Sequence, residues 1–127
     1  MITPGESIEF SPAQLFHAGY SDLQQKTVTF SPLREPARTI LYGTFINLPP
    51  GEYKLMPQIK TNAKNGTLLG HISAVQNNNI LSTGRIIAGK QPILKFRQNN
   101  YAPIRIELKY SALAEITIGE IKLKREK

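Results

Sequence analysis

Hydrophobic and polar residues alternate with a period of two along most of the chain, as in β-strands that have one buried and one exposed face. The alternation is clearest in the segment IRIELKY at residues 104–110, where four apolar residues alternate with three charged ones. Turn-forming residues separate the alternating segments. The pattern predicts an all-β fold, a β-sandwich or jelly roll of eight or nine short antiparallel strands.

The segment TILYGTFINLPPGEYKLMPQIKT, at residues 39–61, predicts two strands joined by a tight turn at the Pro-Pro-Gly step of residues 49–51. Proline lacks the N–H that a ladder needs and glycine accepts positive φ, so the chain is expected to reverse there. Before the turn, Tyr42 and Phe45 are predicted to pack in the core. After it, the residues sort by parity: Tyr53, Leu55 and Ile59 are predicted to face inward, and Lys54, Met56, Gln58 and Lys60 outward.

A helix start is predicted near the beginning of the sequence. Ser11 is a candidate N-cap, Pro12 suits the first helical position and Gln14 completes a capping box. Gly19 would end the helix about two turns later. One short helix is therefore predicted at residues 12–18.

Two glycines predict irregular positions within strands. Gly84 lies inside the predicted strand at residues 80–88, where it indicates a bulge or the close approach of another backbone. In the final segment, residues 115–124, the isoleucines before Gly119 are out of phase with the apolar residues after it. A bulge at Gly119 is predicted to shift the register by one residue and bring both sets to one face.

Two pieces of the Pro-Pro-Gly segment resemble a known structural pattern. Residues 41–45, LYGTF, and residues 48–54, LPPGEYK, resemble the YGPY … LPPGxYxV hairpin of jelly-roll modules that are similar to carbohydrate-binding modules. Such modules are appended to bacterial glycosyltransferases, methyltransferases and other proteins of glycan metabolism. The resemblance implies a β-sandwich that recognises a glycan, or positions a partner enzyme on one, without catalysing a reaction.

The length of 127 residues predicts one domain, residues 1–127, either as a whole protein or as part of a longer one. The sequence contains no cysteine, which excludes disulfides and thiolate metal sites. The first ten residues, MITPGESIEF, carry two acids and no apolar run of signal-peptide length. For a complete chain, this start predicts a cytoplasmic protein.

The net charge of +7 lies mostly in the second part of the chain. Residues 1–53 carry three basic and five acidic side chains, whereas residues 54–127 carry thirteen basic and four acidic ones. A basic half favours anionic partners such as nucleic acid, acidic glycans or phospholipid headgroups. Lysine and arginine side chains that only keep outward strand faces soluble would produce the same asymmetry.

No motif predicts catalysis. The sequence contains no Gly-x-Ser-x-Gly nucleophile elbow, and its nine acids suggest no pair for glycoside hydrolysis. His17 and His71 lack metal-ligand spacing and are interpreted as structural. Glu6, Glu9 and Glu120 are candidate ligands for a structural calcium ion, although solvated carboxylates are the favoured interpretation. We therefore predict a protein that is not an enzyme and needs no cofactor.

A sugar site needs an apolar ring face together with fixed amide or charged groups. Two Asn-rich loops, a smaller cluster near residue 20 and one outward strand face offer such groups. The candidate binding residues are Asn99, Asn100 and Tyr101 in one loop, Asn77 and Asn79 in the other, Tyr20 in the cluster, and Arg105 on the strand face. If the two strands are neighbours, the Arg105 face is expected to lie beside the outward face of residues 54–60.

Three functions follow from these observations. The first is a non-catalytic module that binds a glycan or a neighbouring enzyme domain. The second is a structural or interaction jelly roll that docks another domain or assembles with itself. The third is binding of single-stranded nucleic acid, which needs aromatic rings interleaved with positive charges. Most aromatic residues here are in phase with core positions, so the sequence favours the functions in this order.

Overall fold

The computed structural model describes residues 2–12, 16–17, 20–22, 27–100 and 102–127. Eleven strands form in this part of the chain, and nine of them are at least four residues long. They are β1 Ser7–Phe10, β2 Phe16–His17, β3 Tyr20–Asp22, β4 Thr27–Phe30, β5 Arg38–Ile46, β6 Gly51–Thr61, β7 Leu68–Gln76, β8 Asn79–Ile87, β9 Leu94–Gln98, β10 Ile104–Tyr110 and β11 Ile116–Arg125.

The strands form two sheets whose inner faces enclose one core. Sheet A has the order β3-β4-β11-β6-β9, and β1 pairs with the second half of β11. Sheet B has the order β2-β5-β10-β7-β8. Every described pairing is antiparallel. The predicted all-β sandwich is confirmed, and the short strands β2 and β3 bring the count above the predicted eight or nine.

Alternating residues of both sheets build the core, as the sequence pattern predicts. In β10 the four apolar residues of the alternating segment are all buried. Two aromatic pairs add to the packing: Tyr53 stacks on Phe96 with ring centroids 5.5 Å apart, and Phe30 lies 6.0 Å from Tyr110 in a tilted arrangement. Burying these faces is the main favourable contribution to folding.

The predicted hairpin at residues 39–61 is wrong in one respect, because its two strands lie in different sheets. Strand β5 pairs with β2 and β10 in sheet B, whereas β6 pairs with β9 and β11 in sheet A. The Pro-Pro-Gly connection therefore crosses from one sheet to the other. The carbonyl oxygens of residues 48–50 accept hydrogen bonds from the side chains of Gln98, Tyr53 and Arg125. These side chains supply the partners that a ladder would otherwise provide.

The predicted helix at residues 12–18 is also wrong where the structure describes it. Phe16 and His17 form strand β2, opposite Tyr42 and Leu41 of β5. Gln14 and Gly19 lie outside the described residues. Pairing along the edge of sheet B outweighs a capping signal that is worth about 1 kcal/mol.

Among the described residues, no helix has the length and apolar character needed to cross a membrane.

The predicted bulge near Gly119 is confirmed. The register between β11 and β6 shifts between Ile118 and Ile121, so the apolar residues before and after the shift face the core together. Ile116, Ile118, Ile121 and Leu123 are each at most 1% exposed.

The prediction for Gly84 is wrong, and the structure assigns close backbone approach to Gly70 instead. Gly84 pairs regularly with Ile72, and the register shifts of β7 against β8 lie at other positions. A Cβ at Gly84 would meet only the Leu94 side chain, at 3.4 Å. A Cβ at Gly70 would lie 2.2 Å from the carbonyl oxygen of Lys109 on β10. Only glycine allows the two central strands to approach this closely.

Burial makes the stability of the sandwich sensitive to high pH. It raises the pKa of Tyr110 to about 12 from an ordinary value of 10.0, and the charges of Glu35 and Glu115 add to the effect. The folded protein therefore holds this proton more tightly than the unfolded chain. The stabilisation is complete below pH 10 and is lost as the pH rises toward 12.

We expect this group alone to lower the free energy of unfolding by roughly 2 kcal/mol between pH 10 and pH 12. Denaturant unfolding at both pH values measures the change. In Tyr110→Phe the loss over this pH range should be smaller than in the unchanged protein. Identical pH profiles for the two proteins would contradict the assignment to Tyr110.

Candidate functional site

An exposed aromatic ring lies on the outer face of sheet B. Tyr42 of β5 is 47% exposed, whereas the preceding residue, Leu41, is fully buried. The prediction that Tyr42 packs in the core is therefore wrong. Alternation along β5 turns Leu41 inward and Tyr42 outward. The side chain of Phe45, predicted to pack in the core as well, lies outside the described part of the structure.

A charged pair lies beside this ring on the neighbouring strand. Glu107 of β10 is directly opposite Tyr42 in the register of the two strands. The Arg105 guanidinium is 2.9 Å from the Glu107 carboxylate, and both side chains are about one quarter exposed. Directly opposite residues on one sheet face have Cβ atoms roughly 5 Å apart. The pair is thus held beside the Tyr42 ring in a partly desolvated position.

Small polar residues continue the same row across the sheet. Glu107 is opposite Ser73 of β7, which is opposite Thr83 of β8. The Ser73 hydroxyl donates to the Thr83 hydroxyl at 3.0 Å. Both side chains are short, so this part of the row projects less far from the sheet than the Tyr42 ring does. We call the set Tyr42, Arg105, Glu107, Ser73 and Thr83 the Tyr42 face.

Two buried glutamines tie three connections together at one end of the sandwich. The Gln76 amide donates to the Gln98 side-chain oxygen at 3.0 Å and to the Ala102 carbonyl oxygen at 2.8 Å. Gln98 donates in turn to the Leu48 carbonyl oxygen. We call this end, which includes the β5–β6, β7–β8 and β9–β10 connections, the loop end.

The structure brings most of the predicted binding residues to the loop end. Asn77 forms the β7–β8 turn with Asn78, and both have positive φ, 51° and 64°. Asn79 begins β8 opposite Gln76. Asn77, Asn78 and Arg105 line a hollow of about 370 Å³ with Val75 and Pro103. This hollow adjoins the Tyr42 face, because Arg105 belongs to both.

The remaining predicted residues do not join this hollow. Asn99 lines a separate hollow of about 300 Å³ with Arg97 and Arg125. The Asn100 backbone N–H donates to the Gln98 side chain at 3.0 Å, which gives that residue a structural role. Tyr101 lies outside the described residues. Tyr20 begins β3 opposite Thr29, toward the other end of sheet A, and nothing of its side chain is described.

The expected meeting of two outward strand faces is wrong. Lys54 and Lys60 belong to β6 in sheet A, whereas Arg105, Glu107 and Lys109 belong to β10 in sheet B. Their outer faces therefore point to opposite sides of the sandwich. Each sheet has its own polar face, and the two are separate candidate surfaces.

No cluster of three or more His, Asp or Glu side chains that could hold a metal ion is present in the part of the chain that the structure describes. Glu6 instead accepts a hydrogen bond from the backbone N–H of Thr3 at 3.0 Å, and Glu9 is opposite Lys122. Hydrogen bonding to Thr3 lowers the pKa of Glu6. His71 lies between Lys109 and Arg85 on neighbouring strands, and these two positive charges disfavour a bound metal ion there.

Comparison of the fold with solved structures identifies its architecture. The C-terminal CBM6 module of a marine laminarinase from Zobellia galactanivorans aligns over 94% of this chain and all of its own, with a TM-score of 0.59 and 11% identity. The apo CBM1 module of BiXyn10A aligns over 97% of this chain and 99% of its own, with a TM-score of 0.62 and 14% identity. The fold is that of carbohydrate-binding modules.

A third similar structure contains the fold within a longer chain. The CBM22-1 and GH10 modules of xylanase 10B from Clostridium thermocellum, complexed with xylohexaose, align over 95% of this chain. This chain spans only 26% of that structure, with a TM-score of 0.54 and 14% identity. No protein-family model matches the sequence, and no curated protein matches it. At these identities the likeness concerns the carbohydrate-binding-module fold itself.

The sequence missed Tyr42 as a candidate, although a signal for it was present. The run ILYG at residues 40–43 is apolar throughout and hides the alternation. Strict period-two parity from a buried Leu41 places Tyr42 outward. In this carbohydrate-binding-module fold, the exposed ring and the Arg105–Glu107 pair form the candidate site with the groups that sugar binding requires.

Proposed function

We propose that this domain is a non-catalytic module that holds a glycan on the Tyr42 face. The observation that carries the proposal is the exposed Tyr42 ring directly opposite a carboxylate that Arg105 fixes at 2.9 Å. A ring face packs against the apolar face of a sugar, and fixed charged groups hydrogen-bond its hydroxyls. The Ser73 and Thr83 hydroxyls add donors and acceptors along the same row.

The composition of sheet B supports binding without hydrolysis. Glu107 is the one carboxylate in the sequences of strands β2, β5, β7, β8 and β10. Glycoside hydrolysis normally uses two carboxyl groups that flank the bond, one of them free to exchange a proton. The Glu107 carboxylate is instead held 2.9 Å from the Arg105 guanidinium. A sugar on this face would meet one held carboxylate and no second one from these strands.

A neighbouring enzyme domain is the partner that suits such a module. The similar CBM22-1 module shares a chain with a GH10 module, and the similar CBM6 module is the C-terminal part of a laminarinase. By analogy, this domain positions an enzyme that acts on a glycan. The analogy rests on the fold, whereas the Tyr42 face is this chain's own feature.

The test is a glycan array followed by calorimetry on the best ligand. Tyr42→Ala should weaken binding at least about tenfold, which corresponds to about 1.4 kcal/mol. Glu107→Gln keeps the shape of the side chain, removes its charge and should also weaken binding. Tyr42→Ala should melt close to the unchanged protein, because an exposed substitution changes stability by about 0.5 kcal/mol or less. Glu107→Gln breaks a partly buried ion pair, so its affinity is measured well below its own melting temperature.

Tyr101→Ala is the matched control, because it removes a tyrosine from the sequence-predicted loop. It should leave affinity within about twofold of the unchanged protein. Loss of binding in Tyr101→Ala with full binding in Tyr42→Ala would transfer the site to the loop. No binding to any neutral or acidic glycan on the array would contradict the proposed function itself.

A further inference from the structure

Three lysines lie side by side on the outer face of sheet A. Lys54 of β6 is opposite Lys95 of β9 on one side and Lys124 of β11 on the other. Their chain neighbours Tyr53, Leu55 and Phe96 are buried, so alternation turns the lysines outward. Adjacent strands lie about 4.8 Å apart, and the three Cα atoms thus span roughly 10 Å. We call these three residues the lysine row.

The lysine row has too few acids near it to be neutralised. Glu126 is 2.9 Å from the Lys54 ammonium group, and that hydrogen bond lowers the pKa of the glutamate. The positive charges of Lys54, Lys124 and Lys95 contribute to the same shift. Among the described residues, Glu126 is the one carboxylate within ion-pair distance of any of the three lysines. Like charges at directly opposite strand positions destabilise a sheet, so stability alone does not explain the row.

Further cations extend the row at one edge of the sheet. Arg97 of β9 is largely exposed, and its guanidinium is 4.0 Å from Glu52. A depression of about 580 Å³ opens there, lined by Lys95, Arg97 and Lys127, by Glu52 and Glu126, and by the buried residues Tyr53 and Phe96. The row thus leads from the middle of sheet A into a concave region that also carries positive charge.

We propose that the lysine row binds an acidic polysaccharide, a glycan chain that carries carboxylate or sulfate groups. Lysine ammonium groups are mobile point charges that pair with such anions without demanding one geometry. The net charge of +7 attracts an anionic chain to the protein from a distance. This site is on the opposite sheet from the Tyr42 face, so the two proposals are independent of each other.

The composition of the face favours a polysaccharide over other polyanions. The outward positions of β1, β6, β9 and β11 contain no aromatic residue, whereas single-stranded nucleic acid needs rings on which its bases stack. Glu52, Glu126 and Glu9 also interrupt the positive charge on both sides of the row. These carboxylates repel a continuous anionic lipid surface more than a single chain that follows the lysines.

The test compares two double variants of equal charge change. Lys95→Gln with Lys124→Gln removes the outer two charges and keeps the Lys54–Glu126 pair. Lys64→Gln with Lys90→Gln removes two exposed lysines from turns away from the face. The probes are polygalacturonate and dextran sulfate, with neutral dextran as the uncharged control. We expect the first double variant to raise the Kd for the acidic polymers at least about tenfold, and the second less than about twofold.

Binding of the acidic polymers to the unchanged protein should weaken steeply between low and physiological salt, whereas any binding of neutral dextran should depend neither on salt nor on the two lysine substitutions. Equal losses of affinity for the acidic polymers in the two double variants would overturn the proposal, because net charge alone would then explain binding. Failure to bind either acidic polymer at low salt would overturn it as well. Equal or tighter binding of an oligothymidine, or of vesicles with phosphatidylglycerol, would assign the row to another polyanion. Thermal melting should show no loss of stability in the first variant, since it relieves repulsion.

Discussion

Replacing Gly70 by alanine is expected to lower the free energy of unfolding by about 3 kcal/mol, a large part of the stability of an ordinary domain. The added methyl group would lie 2.2 Å from the Lys109 carbonyl oxygen. Both groups belong to paired central strands of sheet B, where Gly70 is opposite Tyr110. A backbone oxygen cannot rotate away as a side chain does. The strands β7 and β10 must therefore separate locally and weaken the bonds between them.

Gly84→Ala is the matched control, because Gly84 also lies within a paired strand of sheet B. Its new methyl group would meet a Leu94 methyl group at 3.4 Å, an ordinary packing distance. We expect a change of less than about 1 kcal/mol there. Denaturant unfolding of both variants measures the difference. Similar destabilisation by the two alanines would show that strand position, and not backbone approach, determines the cost.

The fold was largely predictable because strand alternation depends on burial alone. The segment at residues 104–110 forms β10 with all four apolar residues buried, and the phase change around Gly119 marks a true register shift. Strand pairing is different, since it depends on residues distant in sequence. The Pro-Pro-Gly step looks the same whether the chain reverses within one sheet or crosses to the other. Only the partners β10 and β11 decide between these alternatives.

The candidate site was less predictable for a related reason. Sequence reasoning chose Asn-rich loops, and Asn77 and Asn78 do form a turn, but their positive φ values already account for asparagine there. Arg105 is a candidate because alternation places it on the outward face of the segment at residues 104–110. Its relation to Tyr42 was invisible, because the two residues are on neighbouring strands that are far apart in sequence. Likewise, the three lysines of the lysine row become neighbours only through the pairing of β9, β6 and β11, which the sequence alone does not show.

The second large effect is expected at Gln98, a fully buried polar residue at the loop end. Its side-chain oxygen accepts from the Gln76 amide and from the Asn100 backbone N–H, both at 3.0 Å. Its amide donates to the Leu48 carbonyl oxygen, in a connection where the following prolines supply no donor. Gln98→Ala removes all three hydrogen bonds and leaves a cavity, and the buried Leu48 carbonyl oxygen loses this donor, whereas the Gln76 amide keeps its bond to the Ala102 carbonyl oxygen. We expect a loss of about 3 kcal/mol in the free energy of unfolding.

Two further variants show how much of this loss comes from the buried hydrogen bonds of Gln98. Gln98→Met keeps the volume but makes no amide hydrogen bond, so it should still lose about 2 kcal/mol. Gln58→Ala removes an exposed glutamine from β6 and should change stability by less than about 0.5 kcal/mol. Chemical denaturation of Gln98→Ala, Gln98→Met and Gln58→Ala measures the free energy of unfolding of each variant. Stability of Gln98→Met equal to that of the unchanged protein would mean that the buried hydrogen bonds contribute nothing net.

Gln98→Met also tests whether the loop end contributes to glycan binding. Gln98 lies inside the sandwich and orders the loop end, whereas Tyr42, Ser73 and Thr83 are held by the ladders of sheet B. Gln98→Met should therefore leave glycan affinity within about twofold, measured well below its melting temperature. A large loss of affinity in a still folded Gln98→Met would show that the ordered loops contribute to binding. The Tyr42 face would then form only part of the site, and Asn77 at its border would be the next residue to replace.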